Sequence, residues 1–418
     1  MFNIIRMKYF KKYIGKQKCR LLLVICILLS TASGCIEDTS IETGVFEDLL
    51  VIDASISNEE KQHEILLSRT YRYGGDPVVE TDAIVTIIGN GFEYNFEEVE
   101  EGKYVSQDVF EAILNVDYRL KIITAEGNVY SSTNKKLTTV IEIDDLYIER
   151  MTNDDGVEGM AFYVDSFDPS NRSKFYRYEY ESTFKIIAPM WVREEAFVIG
   201  NECPCCEVGL EDRLENTRVC YSTERSSELN VLESATLDAD KVVKYLIHFV
   251  PSTDYKLSHR YSLLARQFVI SEGAYLYYET LGDFSSEGSV FSQIQTGFVE
   301  GNITSESNPA EKVIGYFDVN SVSEKRVFFN YDDYYPGEVL PDFAILCSLQ
   351  APSLRGEYCP GPCGPLTTLI NNKAASYLEN YAGTPEFFGE TGPYIMIPRA
   401  CGDCTVLGTN EMPEFWTE

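Results

Sequence analysis

From position 49 to 128 apolar and polar residues alternate in short runs. Leu50, Ile52, Ala54 and Ile56 share one side of such a run, with Val51, Asp53 and Ser55 on the other. A period of two places successive side chains on opposite faces of a strand, one face buried. Ala83, Val85 and Ile87 repeat the pattern ahead of Gly89-Asn90-Gly91, and Tyr94 and Phe96 continue it. Gly102-Lys103-Tyr104 reads as a strand entry. Tyr118, Leu120 and Ile122 lead into the tight turn Glu126-Gly127-Asn128. Strand-like runs about ten residues apart predict an immunoglobulin-like β-sandwich, placed over 46–138.

A second β-rich region follows, predicted over 139–335 as another sandwich of immunoglobulin or fibronectin type. Leu146, Ile148, Phe162 and Val164 are strand-like, and Asp168-Pro169-Ser170-Asn171 is a turn cluster. Between 174 and 181 one row is aromatic (Tyr176, Tyr178, Tyr180) and the other mostly charged (Arg177, Glu179, Glu181). Further strands are expected at 242–250, 260–270, 313–319 and 325–330. A short helical insertion is expected from Ser271, the capping residue, with Tyr275, Tyr278 and Leu281 on one face. After Tyr331 the periodicity fades. Residues 336–418 are rich in Cys, Pro and Gly and are expected to pack on the second domain, held by disulfides. The fold class predicted is therefore mainly β: two β-sandwich domains, a short helical insertion and a disulfide-rich C-terminal region.

The N-terminus adds a different signal. Six basic residues between positions 8 and 20 precede the apolar run 21–29, then small residues, then Cys35. That run is too short to span a bilayer, but its flanks fit a secretory signal peptide. Ala32-Ser33-Gly34-Cys35 resembles the lipobox of bacterial lipoproteins, although Ala32 stands where leucine is commonest. The resemblance implies a signal peptide over 1–34, a lipid-bearing Cys35 and a tether over 35–45. Several acyl chains hold far more firmly than one. Glu37 and Asp38 resemble the acidic export signal of Bacteroidota lipoproteins, which sends them to the outer face of the outer membrane.

Charge sharpens this picture. The chain carries a formal charge of −31; loss of 1–34 would remove seven basic side chains and take it to −38 over 384 residues. Such a chain is not suited to nucleic acid, whose binding rests on cationic side chains. The charge suits a soluble surface.

Nine cysteines follow Cys35, in two groups: Cys203, Cys205, Cys206 and Cys220, then Cys347, Cys359, Cys363, Cys401 and Cys404. Cys203-Pro204-Cys205-Cys206 and Cys401-x-x-Cys404 have spacings open to metal knuckles, a redox pair or disulfides. An oxidising compartment favours disulfides. Two are expected within the second group, its fifth thiol being free or paired with the first group. No metal and no cofactor is assigned. His63, His248 and His259 are scattered, and no nucleophile elbow, zinc-protease motif or phosphate loop is present. Thus no catalytic residue is assigned. Tyr331, Tyr334 and Tyr335 form either a binding loop or part of the second core.

Several ordered features point further. They are LVIDASI at 50–56, Gly102-x-Tyr104, Cys220-Tyr221, Arg260-Tyr261-Ser262, Gly301-Asn302-Ile303, Gly315-Tyr316-Phe317 and CGDCTVLGTNEMPEFW at 401–416. With the lipobox, they resemble the Bacteroidota lipoprotein family catalogued as domain of unknown function 4249. That resemblance implies an accessory role beside a TonB-dependent outer-membrane transporter. The expectation is a non-enzymatic, surface-exposed, lipid-anchored outer-membrane lipoprotein that helps capture a nutrient. The rivals are a structural or adhesion lipoprotein without a transport partner, and a hydrolase with an unrecognised site.

Overall fold

The computed structural model describes residues 48–71, 78–200, 206–234, 241–286, 299–354, 363–382 and 392–418. The signal peptide, the tether, Cys35, Glu37, Asp38, Cys203, Cys205 and Cys359 lie outside them. The first strands are β1 (Leu50–Ser57), β2 (Glu64–Arg69), β3 (Val78–Val79), β4 (Ile84–Gly89), β5 (Phe92–Glu100), β6 (Lys103–Ser106), β7 (Tyr118–Ile123) and β8 (Val129–Ser132). Next come β9 (Asp145–Thr152), β10 (Glu158–Phe167), β11 (Phe175–Ile187), β12 (Glu194–Gly200), β13 (Glu207–Asp212), β14 (Val219–Arg225), β15 (Asn230–Glu233), β16 (Lys241–Pro251) and β17 (Arg260–Val269). Then follow α1 (Glu272–Ser286), β18 (Ile303–Ser305), β19 (Val313–Asn330), α2 (Tyr331–Tyr334), α3 (Pro365–Asn371), β20 (Ala375–Asn380), β21 (Tyr394–Pro398) and α4 (Arg399–Gly402). The chain is mainly β, as the alternation predicts.

Among the described residues, fourteen strands join one sheet: twelve along the order β14-β11-β17-β19-β1-β2-β6-β5-β4-β7-β8-β18, with β15 beside β11 and β3 beside β2. Its spine is β19. The first half pairs in parallel with β1, from Leu50↔Val313 to Ser57↔Asn320. The second half pairs antiparallel with β17, from Val269↔Ser321 to Arg260↔Asn330. The expected strands 313–319 and 325–330 are therefore one. The domain boundary expected at 138/139 falls inside this sheet. Ile303, Val313, Phe317 and Val319, from the segment assigned to the second domain, complete the first core with Leu50, Ile52, Ile87, Tyr118 and Leu120.

That closure depends on a close approach. A side chain at Gly301 would bring its Cβ within 1.7 Å of the Gly315 carbonyl oxygen, so only glycine fits. Asn302 can then imitate a strand neighbour. Its Oδ1 accepts from Phe317 N and its Nδ2 donates to Phe317 O, both at 2.8 Å. Gly102 meets a similar demand: it has φ +72°, and a Cβ there would lie 2.6 Å from Leu67 O.

The second core lies between the small sheet β16-β10-β9 and the β11, β17, β19 part of the large one. Phe162, Val164, Tyr176, Tyr178, Phe184, Tyr261 and Leu263 fill it. Asp168 starts the turn before β11 and is buried. Its carboxylate accepts from Ser170 N, Ser170 Oγ, Arg172 N and Ser173 N at 2.6–2.9 Å. Burial pushes its pKa up, but the hydrogen bonds from Ser170, Ser173 and Arg172 outweigh this and hold it well below the ordinary value. Asp168→Ala is expected to cost about 3 kcal/mol at neutral pH by stranding these donors. The folded pKa lies below the unfolded one, so the ionised carboxylate's contribution is complete above about pH 4 and is lost in stronger acid. Urea titrations of parent and variant should differ at neutral pH and converge as the pH falls toward about 2.

The C-terminal region carries its own structure. The hairpins β12–β13 and β20–β21 share a small core around Leu366, Tyr377 and Met396. Three disulfides tie the region down: Cys206–Cys363, Cys220–Cys404 and Cys347–Cys401. This corrects the expected pairing. Among the described residues one bond, not two, lies within the second cysteine group, and two bonds join the groups. The reason is the packing: β14 and the β12–β13 hairpin lie against the C-terminal segments, with Tyr221 N donating to Thr409 O and Cys404 N to Thr217 O.

Candidate binding cleft

The alternation that builds the cores also builds a polar face opposite them. On β11, Tyr176 and Tyr178 enter the second core, so Arg177, Glu179 and Glu181 face away from it. On β1, Leu50, Ile52, Ala54 and Ile56 enter the first core, leaving Asp53 and Ser55 on the other side. Leu264, Arg266 and Phe268 of β17 and Asn320 and Glu324 of β19 share that side. Two cavities of about 840 and 350 Å³ open there, both lined by Asp53, Glu179 and Ser226. They form one cleft where the two halves of the sheet meet.

Helix α1 covers one end. Ser271 caps it as the sequence predicts, its Oγ accepting from Ala274 N at 3.3 Å. Ser271 is itself fixed from below, since its N and Oγ donate to the Asp318 carboxylate at 3.1 and 2.9 Å. Asp318 is wholly buried, and that burial raises its pKa despite the bonds from Ser271 and the nearby Lys135. Lys135 donates to Tyr316 Oη. Tyr275, Tyr277 and Tyr278 pack with Phe268, Tyr316 and Val322, and Leu281 lies against them. Tyr275, Tyr278 and Leu281, which the sequence puts on one helix face, thus pack together in this cluster. Tyr277 and Tyr278 also line the smaller cavity.

The cleft's charges are mostly spent on one another. Arg266 binds Glu59 at 2.6 Å and Glu324 at 2.5 Å, and Lys61 binds Glu59 at 2.6 Å. Burial raises the pKa of Glu59, but Lys61 and Arg266 overcome this and hold it low. Arg225 and Arg326 both reach Glu181 at 3.4 Å. Arg177 pairs with Glu179 at 3.1 Å, its guanidinium 4.4 Å from the Phe268 ring centre and 5.1 Å from that of Tyr278. Asp53 is different. It is open to the cleft, yet crowded by protein on its other sides. Desolvation raises its pKa, Arg177 pulls it down, and Glu179 pushes it up again. His63, beneath the cleft, is buried, and desolvation takes its pKa down to about 4; its Nε2 lies 3.0 Å from Phe110 O.

The predicted tyrosine loop is elsewhere. Tyr331 and Tyr335 are buried in the second core with their rings stacked at 4.8 Å. Tyr334 is half-buried beside Phe329. Of the two readings open for Tyr331, Tyr334 and Tyr335, this packing is the core one. The six downstream cysteines among the described residues are all in disulfides. The cleft residues were missed from sequence, although the charged row of β11 was visible there. Nothing in one sequence says which strands set their charged rows side by side.

Compared with known proteins, the chain matches over residues 36–326 a family model described as Domain of unknown function (DUF4249). No curated protein matches it.

Proposed function

The chain belongs to the family described as Domain of unknown function (DUF4249), and from that premise we propose a surface-exposed outer-membrane lipoprotein that binds a ligand for a TonB-dependent transporter. The observation that carries this reading is the set of three disulfides between distant segments. Such bonds belong to an oxidising compartment, which agrees with the export signal ending at Cys35. Acyl chains on Cys35 would hold the protein at the membrane, where tethering raises its effective concentration at a transporter. The cleft on the large sheet supplies the binding face, and the protein acts without chemistry of its own.

A mild-detergent pull-down with mass spectrometry tests the partner, and a TonB-dependent transporter is expected to co-purify. Recovery of the lipoprotein alone leaves the structural or adhesion role as the better reading. Replacing Glu37 and Asp38 together by Ala is expected to cut cleavage by added protease on intact cells while lipidation persists. Equal cleavage in variant and parent would remove these two residues from export.

A further inference from the structure

Two acceptors in the cleft have no donor. Asp53 has no hydrogen-bond or ion-pair partner among the described residues, and it lines both cavities. Asn320 is 1% exposed and lines the larger cavity, and its Oδ1 has no hydrogen-bond partner. The buried Asn320 oxygen is costly without a donor, so a group bearing N–H is its natural complement. The charge count agrees. The two linings carry seven carboxylates and four basic side chains. Each basic one already holds a carboxylate: Lys61 with Glu59, Arg177 with Glu179, Arg225 with Glu181, Arg266 with Glu59 and Glu324. Arg177 Nε alone among these donors is buried without a partner, whereas Asp53 and Glu228 are whole carboxylates without an ion pair, so the unpaired charge favours a cation.

The remaining features separate cations from one another. A bare metal ion is disfavoured, because no three metal-binding side chains gather among the described residues. The smaller cavity instead sets Tyr277, Tyr278 and Tyr316 around Asp53. Aromatic faces beside a carboxylate suit an organic cation. The cavities adjoin along the sheet and have room for an extended chain.

We propose that the cleft binds a short basic peptide in extended form, with an ammonium or guanidinium group against Asp53 and the tyrosine rings, and a peptide N–H toward Asn320. This rests on the reading above that the cleft is the binding face. Tetralysine, tetraglutamate and maltotetraose are the probes, titrated calorimetrically into the full-length protein in detergent. Tetralysine is expected to bind, more weakly as salt rises, and tetraglutamate is not. Asp53→Asn should weaken tetralysine about tenfold. Ser55→Trp, which obstructs the larger cavity without changing charge, should weaken it as well. Both variants should melt with the parent, which establishes that they fold. Tetralysine binding unchanged by Asp53→Asn, no tetralysine binding, or equal binding of tetraglutamate overturns the proposal. Maltotetraose binding that Ser55→Trp abolishes and Asp53→Asn spares overturns the cationic ligand while leaving the cleft as the binding face.

Discussion

Replacing Cys220 and Cys404 together by alanine is expected to lower stability by about 4 kcal/mol, most of it through the unfolded chain. The bond closes a sequence separation of 184, but that figure overstates the constraint while the other bridges stand. The three disulfides and three short chain segments form one covalent ring. From Cys220 the chain runs to Cys206, crosses to Cys363, runs to Cys347, crosses to Cys401 and runs to Cys404, which bonds back to Cys220. With the three described bridges alone counted, the loop opened by removing any one of them is roughly 33 residues, and the entropic effect is the same for all three. What differs is burial. Cys220 and Cys404 are 0% exposed and sit in the second core, whereas Cys347 is half-exposed. The Cys220/Cys404 pair should therefore cost more than the Cys347/Cys401 pair, because its loss also leaves a void. Guanidinium titrations of the two double-alanine variants under non-reducing conditions measure the difference. Equal midpoints would show that burial adds nothing to closure, and an unchanged midpoint for either would contradict the ring.

The same ring shows what a sequence can and cannot supply. The cysteine count and its two groups were legible, and so was the need for covalent closure where periodicity fades. The pairing was not, because it follows from docking between segments far apart in the chain. The strands divide the same way. Leu50-x-Ile52, Val85-x-Ile87 and Tyr118-x-Leu120-x-Ile122 were readable, and all are buried. The last two sit beside turns whose chemistry is local, at Asn90-Gly91 and Gly127, where φ is positive. The partnership of β1 with β19 was hidden, since period two assigns a face but not a neighbour. The middle of β19 was hidden for another reason. Asn320, Ser321 and Ser323 look like a break between strands, yet they are buried. Thr138 Oγ1 accepts from Ser321 N at 2.8 Å, and Ser323 Oγ accepts from Ile143 N at 3.1 Å, so polar side chains there complete the backbone bonding. The cleft inherits this difficulty, because its charged rows come from β1, β11, β17 and β19 at once.

Under the proposed anchoring, Cys35→Ala is expected to move the protein from almost complete membrane retention to almost complete release from the detergent-rich phase. The argument is one of chain length. Each buried methylene contributes about 0.8 kcal/mol, and a single acyl chain gives only reversible attachment, so retention rests on several chains joined at one residue. Among the described residues no helix is long and apolar enough to cross a membrane, and a formal charge of −31 is repelled by anionic headgroups. Residues 21–29 are too few to span the bilayer should the signal remain uncut. Labelling cells with a fatty-acid analogue, then partitioning parent and variant between detergent and aqueous phases, reads both events together. Label on the parent alone, with the variant in the aqueous phase, is the expected result. An unlabelled parent already in the aqueous phase would mean an ordinary cleaved signal peptide. A labelled variant would mean that acylation lies on another residue, and either outcome would end the assignment of Cys35.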